Sequence, residues 1–114
     1  VTRREASMQG FQLTFFTRQD RGHAGKTLAH WLVEEARSMG IGGATLFAAS
    51  EGFGRHRRIH SVLFVELADA PVEVVMAATI EEADRLFARL KTENVELFYI
   101  KTPIEFGMTG EEVA

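Results

Sequence analysis

The sequence predicts an α+β sandwich in which two helices cover one face of an antiparallel sheet. Three observations carry this. Two segments place apolar residues at helical spacing, short runs around them alternate apolar and polar residues, and glycine or proline stands where one pattern gives way to the next. At 114 residues the chain holds one domain and a single core.

The composition narrows the function classes. Apolar residues make up 46% and charged residues 25%, the balance of a globular protein rather than a disordered one. A formal net charge of -3 argues against a protein that coats nucleic acid by bulk electrostatics, so any basic feature is local. With Cys at 0, a disulfide framework, a thiolate metal site and a cysteine nucleophile are excluded, which fits a reducing compartment. No apolar run approaches the roughly 20 residues that span a bilayer, and Val1 to Glu5 lacks the apolar segment of a secretory signal. The expectation is a cytoplasmic protein with no direct membrane insertion.

Taken in order, residues 1–9 carry no period and read as a loose lead-in. From Phe11 to Phe16 the pattern alternates, putting Phe11, Leu13 and Phe15 on one face of a strand. Arg18 to Gly25 reads as a turn. Leu28, Trp31, Leu32, Ala36 and Met39 then form the apolar stripe of a helix stopped by Gly40. Ala44 to Ala49 is a second strand and Ile59 to Leu67 a third extended run. Asp69-Ala-Pro71 is a turn, because proline restricts itself and the residue before it. Val72 to Ala78 is a further strand. Thr79 and Glu82 make a capping box for a second helix, whose stripe is Ala83, Leu86, Phe87 and Leu90, with Glu81 and Arg85 one turn apart. Val95 to Thr102 is the last strand and Pro103 to Ala114 a polar tail. The domain is expected to span residues 10–106, with the tail proper at 107–114.

With the excursion between the second and third extended runs set aside together with the third run that leaves it, the order is βαββαβ, the ferredoxin-like sandwich. Phe16, Phe47, Val75, Ala77, Phe98 and Ile100 fall on the strand parity opposite the helices. A face left in water should be polar at most of these positions, so another subunit is expected to cover it.

The excursion, Glu51 to His60, is the most basic stretch of the chain. Gly52 and Gly54 flank Phe53 and allow backbone turns closed to residues with a β-carbon. Arg55, Arg57 and Arg58, with His56 and His60, then gather cationic donors on one loop. A phosphate, a carboxylate or an acidic protein surface suits them; a solvated hairpin tip kept soluble by charge is the plain alternative.

Gly22 to Thr27 compares with the phosphate loop of nucleotide hydrolases, but only two residues separate its first glycine from Gly-Lys-Thr where that motif needs four. What remains is a flexible turn at a helix start, with His23 and Lys26 near backbone N–H groups that could meet an anion, or a simple helix entry. His56 and His60 lack the further ligands of a metal site. The serines have no nucleophile setting, and Trp31 and the phenylalanines suit core positions better than a base-stacking platform, so neither an enzyme nor a nucleic-acid binder is expected.

Several motifs carry a family resemblance. Gly40-Ile-Gly-Gly-Ala-Thr-Leu, Glu51-Gly-Phe-Gly-Arg, His60 and Pro71 entering a strand resemble the nitrogen-regulatory P-II signalling superfamily. His23-Ala-Gly-Lys26, Ala36-Arg-Ser-Met-Gly40 and Asp69-Ala-Pro-Val72 resemble its branch catalogued as domain-of-unknown-function family 190. The resemblance covers Gly10 to Ile104. It implies a homotrimer whose clefts bind small effectors, commonly adenine nucleotides, and an exposed T-loop that contacts target proteins. The glycine and glutamine that meet nucleotide in P-II proteins match Gly54 and His56, so the glutamine is replaced. The glycine- and lysine-rich loop after the second helix and the arginine pair near the C-terminus are absent, and Thr27 and Ala29 replace the branch's usual proline and tyrosine.

The expected function is that of a regulatory protein with no certain cofactor. It binds a small anionic effector, with an adenine nucleotide as the candidate, and signals through residues 51–60. The alternative is a ligand-free trimeric interaction module whose basic loop binds an acidic partner. Genes of the family branch lie beside those of transport proteins, which suggests a membrane transporter as that partner.

Overall fold

The structure is a computed structural model that describes residues 7–48, 51–53, 59–61 and 70–110. Strand β1 (Ser7–Arg18) leads into a two-residue hairpin, β2 (Gly22–His23) and β3 (Lys26–Thr27), and then helix α1 (Leu28–Ser38). Strand β4 (Ala44–Ala48) is followed by β5 (Glu51–Phe53) and β6 (Ile59–Ser61). Strand β7 (Pro71–Thr79), helix α2 (Ile80–Thr92) and strand β8 (Phe98–Gly107) complete the chain. The main sheet has the order β4-β7-β1-β8, and every neighbouring pair in it is antiparallel. With the hairpin and the ribbon set aside, this is the expected βαββαβ sandwich.

Each helix begins and ends on a local signal. The Thr27 hydroxyl accepts the His30 N–H at 3.2 Å to cap α1, and at its other end Gly40, at φ 83°, lets the Ile41 N–H reach the Ala36 carbonyl. The capping box of α2 is complete: the Thr79 hydroxyl accepts the Glu82 N–H and the Glu82 carboxylate accepts the Thr79 N–H. Asn94, at φ 56°, does for α2 what Gly40 does for α1, and the Val95 N–H bonds the Leu90 carbonyl. Val95 therefore completes a helix end rather than starting a strand, and β8 begins three residues later than expected, at Phe98. Arg85, expected to pair with Glu81, reaches the Met39 carbonyl at 3.4 Å.

The core lies between the sheet and both helices. Leu13 and Phe15 from β1 and Val72, Val74, Met76 and Ala78 from β7 are buried against Leu28, Trp31, Leu32, Ala36, Ala83, Leu86 and Leu90, each large side chain stabilising the fold by about 1.5–3 kcal/mol. Phe87 and Tyr99 close the β8 side, with ring centroids 4.8 Å apart, and Lys101 Nζ stands 4.2 Å over the Phe11 ring.

Both outer ends of the sheet run longer than the sequence pattern predicts. Ser7, Met8 and Gln9 pair with Gly107, Phe106 and Glu105, so part of the expected lead-in and of the expected tail form one ladder. Pro103 lies inside β8 opposite Phe11, where an edge strand tolerates a missing N–H. The expected third run, Ile59 to Leu67, is a strand at Ile59–Ser61, and its remainder lies outside the described residues.

Candidate functional site

The basic excursion stands on a ribbon. Glu51, Gly52 and Phe53 pair with Ser61, His60 and Ile59, so Gly52 and His60 are directly opposite one another. Strand β5 lies against β7, which places the ribbon at the end of the sheet where Ala48 pairs with Val72. Gly54, Arg55, His56, Arg57 and Arg58 lie outside the described residues.

His23 and Lys26 sit elsewhere, on the hairpin ahead of α1. Ala24 and Gly25, at φ 52° and 81°, form a turn with both central residues left-handed, the geometry that matches the twist of a two-residue hairpin. His23 and Lys26 are thereby cross-strand partners. Each already has a carboxylate. Lys26 Nζ donates to both Glu34 oxygens at 2.8 Å, and His30 Nε2 lies 3.0 Å from the same side chain. His23 Nε2 meets Glu93 Oε1 at 2.9 Å, and its ring packs edge-on against Trp31 at 4.5 Å. Hydrogen bonding from Lys26, aided by the nearby charges of Lys26, His30 and Arg37, holds the Glu34 carboxyl below the usual carboxylate range against the opposing effect of burial. The bond with His23, followed by the charge of Arg89, does the same for Glu93. An anion arriving at this turn would compete with both carboxylates. Among the described residues, no group of three His, Cys, Asp or Glu side chains could hold a metal ion.

The hairpin and its carboxylate partners were not legible from the sequence. The one available signal was Ala-Gly between two short polar residue pairs, weaker than the Asn-Gly or Asp-Gly of most such turns.

The third feature is the sheet face away from the helices. Register places Thr45 and Phe47 of β4, Val75 and Ala77 of β7, Thr14 and Phe16 of β1, and Phe98 and Ile100 of β8 on it. Phe47, Phe98 and Ile100 are 52%, 59% and 49% exposed, and the Phe16 and Phe98 rings lie 5.5 Å apart. Thr14 is buried even so, with Val75 and Ile100 on either side. The parity expected from the sequence holds in all four strands.

A four-stranded antiparallel sheet backed by two helices, with one bare apolar face and a ribbon at its end, defines a small ferredoxin-like α+β sandwich. The chain belongs to the DUF190 family, described as an uncharacterized ACR, whose model matches residues 10–102. A UPF0166 protein of Aquifex aeolicus (strain VF5) is 31% identical over 97 residues, covering 77% of this chain and 92% of the relative. Among solved structures, CPII, a nitrogen regulatory PII-like protein from Thiomonas intermedia K12 bound to ADP, AMP and bicarbonate, superposes with a TM-score of 0.63 at 19% identity, covering 90% of this chain and 92% of CPII. CPII bound to ADP and bicarbonate gives a TM-score of 0.60 at 19% identity, with coverage of 90% and 92%. At that identity the likeness is one of fold. No helix among the described residues is long and apolar enough to cross a membrane.

Proposed function

We propose that this chain is a PII-like regulatory protein, not an enzyme, that binds a small anionic effector in clefts between copies of itself and signals to a target protein through residues 51–60. The observation that carries this reading is the open sheet face, where Phe47, Phe98 and Ile100 stand about half exposed in one field. Soluble monomers rarely keep such a patch in water, and self-assembly, here proposed as a homotrimer, removes it. Copies closing over the face create seams beside the foot of the ribbon. Gly52 and Gly54 then shape the loop base, and Arg55, His56, Arg57, Arg58 and His60 face the anion. His23 and Lys26 join only where the anion displaces Glu93 and Glu34.

An adenine nucleotide is the effector best supported, since CPII is described with ADP and AMP bound. Its binding would order the loop and so report occupancy to the target. Calorimetry against ATP, ADP, AMP and cyclic nucleotides tests this, and an absence of heat at millimolar ligand removes the nucleotide from the reading.

A second reading is favoured by the compensation of Lys26 by Glu34 and of His23 by Glu93. With these cations engaged, the ribbon arginines serve an acidic protein surface, such as that of a membrane transporter, without any small ligand.

A further inference from the structure

One row of the open face differs from the rest. Phe47 lies opposite Glu73, Glu73 opposite Phe16, and Phe16 opposite Phe98. Glu73 is thus a carboxylate set among phenylalanines from three strands. It is half-buried, and no described side chain hydrogen-bonds or ion-pairs with it. Among the described residues of the main sheet, the one other charged side chain that strand parity puts on this face is Arg18, opposite Pro71 and so diagonal to Glu73. Arg18 Nε lies 3.1 Å from Asp20 Oδ1, but both side chains are 38% exposed. Such a pair holds a guanidinium weakly and leaves it free to be shared.

Covering this face with an apolar surface would bury an unpaired carboxylate, which is costly unless the cover brings a cation. A face carrying one carboxylate and one guanidinium offers the complement of each to a second copy of itself. A uniformly acidic partner would engage Arg18 and repel Glu73, and a uniformly basic one would do the reverse. The planar guanidinium can also stack on the phenylalanines flanking Glu73 while forking onto its carboxylate. We propose that self-association over this face is set in register by Glu73 of one copy pairing with Arg18 of the partner subunit. The inference rests on the self-assembly proposed above and adds the pair that fixes how copies meet.

Light scattering over a dilution series tests it with the wild type, Glu73→Lys, Arg18→Glu and the double exchange. Each single variant sets like charges against one another and is expected to raise the apparent dissociation constant at least about tenfold. The double exchange restores it to within about threefold of wild type. Glu73→Gln, Arg18→Gln and their combination repeat the cycle without charge reversal, should a reversed charge prevent folding; their combined loss is expected to be smaller than the product of the single losses. An assembled wild type with unchanged single variants, or a cycle without coupling, overturns the pairing and leaves self-assembly standing. Coupling found in the thermal unfolding of dissociated chains also overturns it, by placing the ion pair within one copy. A 12.7 kDa particle at every wild-type concentration overturns the assembly itself.

Discussion

His23 Nε2 lies 2.9 Å from Glu93 Oε1, a contact that ties the hairpin ahead of α1 to the residue capping the end of α2. The chain of charges continues from α2 to α1. Arg89 Nη1 lies 3.4 Å from the other Glu93 oxygen, and Arg89 Nε donates to Glu35 Oε1 at 2.7 Å. Hairpin and both helices are thus joined on the side of the molecule away from the open sheet face. The Glu35 and Glu93 contacts hold the Arg89 guanidinium above its usual range, with the hydrogen bond to Glu35 the largest cause.

The lowered Glu34 and Glu93 carboxyls set the sign of an acid dependence. A carboxyl whose folded pKa is depressed contributes stability that is present above the ordinary glutamate range and is lost as pH falls through the lower folded value. The unfolding temperature is expected to decline as the pH drops below the ordinary glutamate range, and Glu93→Gln and Glu34→Gln each flatten that decline. Both groups lie at the surface, so the change at neutral pH is no more than a few degrees. Scanning fluorimetry over a pH series measures it; parallel curves for wild type and Glu93→Gln would refute the role given to the His23 contact.

Thr79→Ala removes one half of the capping box on α2. The expected loss is about 1 kcal/mol, seen as a lower urea midpoint with an unchanged slope. Thr79→Ser, which keeps the accepting oxygen, recovers most of it.

Gly10 is held by close approach. A β-carbon there would stand 2.0 Å from the Ala78 carbonyl oxygen and 2.9 Å from the Phe106 ring, whereas one on Gly43 meets nothing within 4 Å. Gly10→Ala is expected to cost about 3 kcal/mol or more, since the obstacle is backbone. Gly43→Ala should stay within about 0.5 kcal/mol of wild type. Denaturant unfolding of the two variants side by side checks the contrast.

Charge reversal at Arg57 and Arg58 separates the two functional readings. Under the effector reading, calorimetric binding of the nucleotide weakens at least about tenfold, because a charge-assisted contact to phosphate becomes a repulsion. Under the interaction-module reading, capture of an acidic partner is lost while any nucleotide heat is untouched.

Much of the fold was legible in the sequence because its signals are local. The stripes of α1 and α2, the Thr79–Glu82 capping box, the Gly40 stop and the alternation in β1 and β7 each lie within a window of one or two turns or strand repeats. The bare sheet face could be read as well, since strand parity assigns sides before any pairing is known. Of the ribbon, β6 falls within the expected run from Ile59, whereas β5 was read only as a loop, because three residues are too few to show a strand period.

The sequence by itself determined the two helices, the Gly40 stop of α1, the capping box that opens α2, and which side of each strand is apolar, since those depend on residues that are neighbours along the chain. Only the tertiary structure decided that His23 and Lys26 meet Glu93 and Glu34, that β8 runs through Pro103 to Gly107 because Ser7 to Gln9 pair with it, and that Glu73 stands unpaired among phenylalanines. Most of these relationships join residues far apart in sequence, and even the Lys26–Glu34 contact depends on the hairpin that precedes α1. Charge pairing and strand length follow from which surfaces the folded chain brings together.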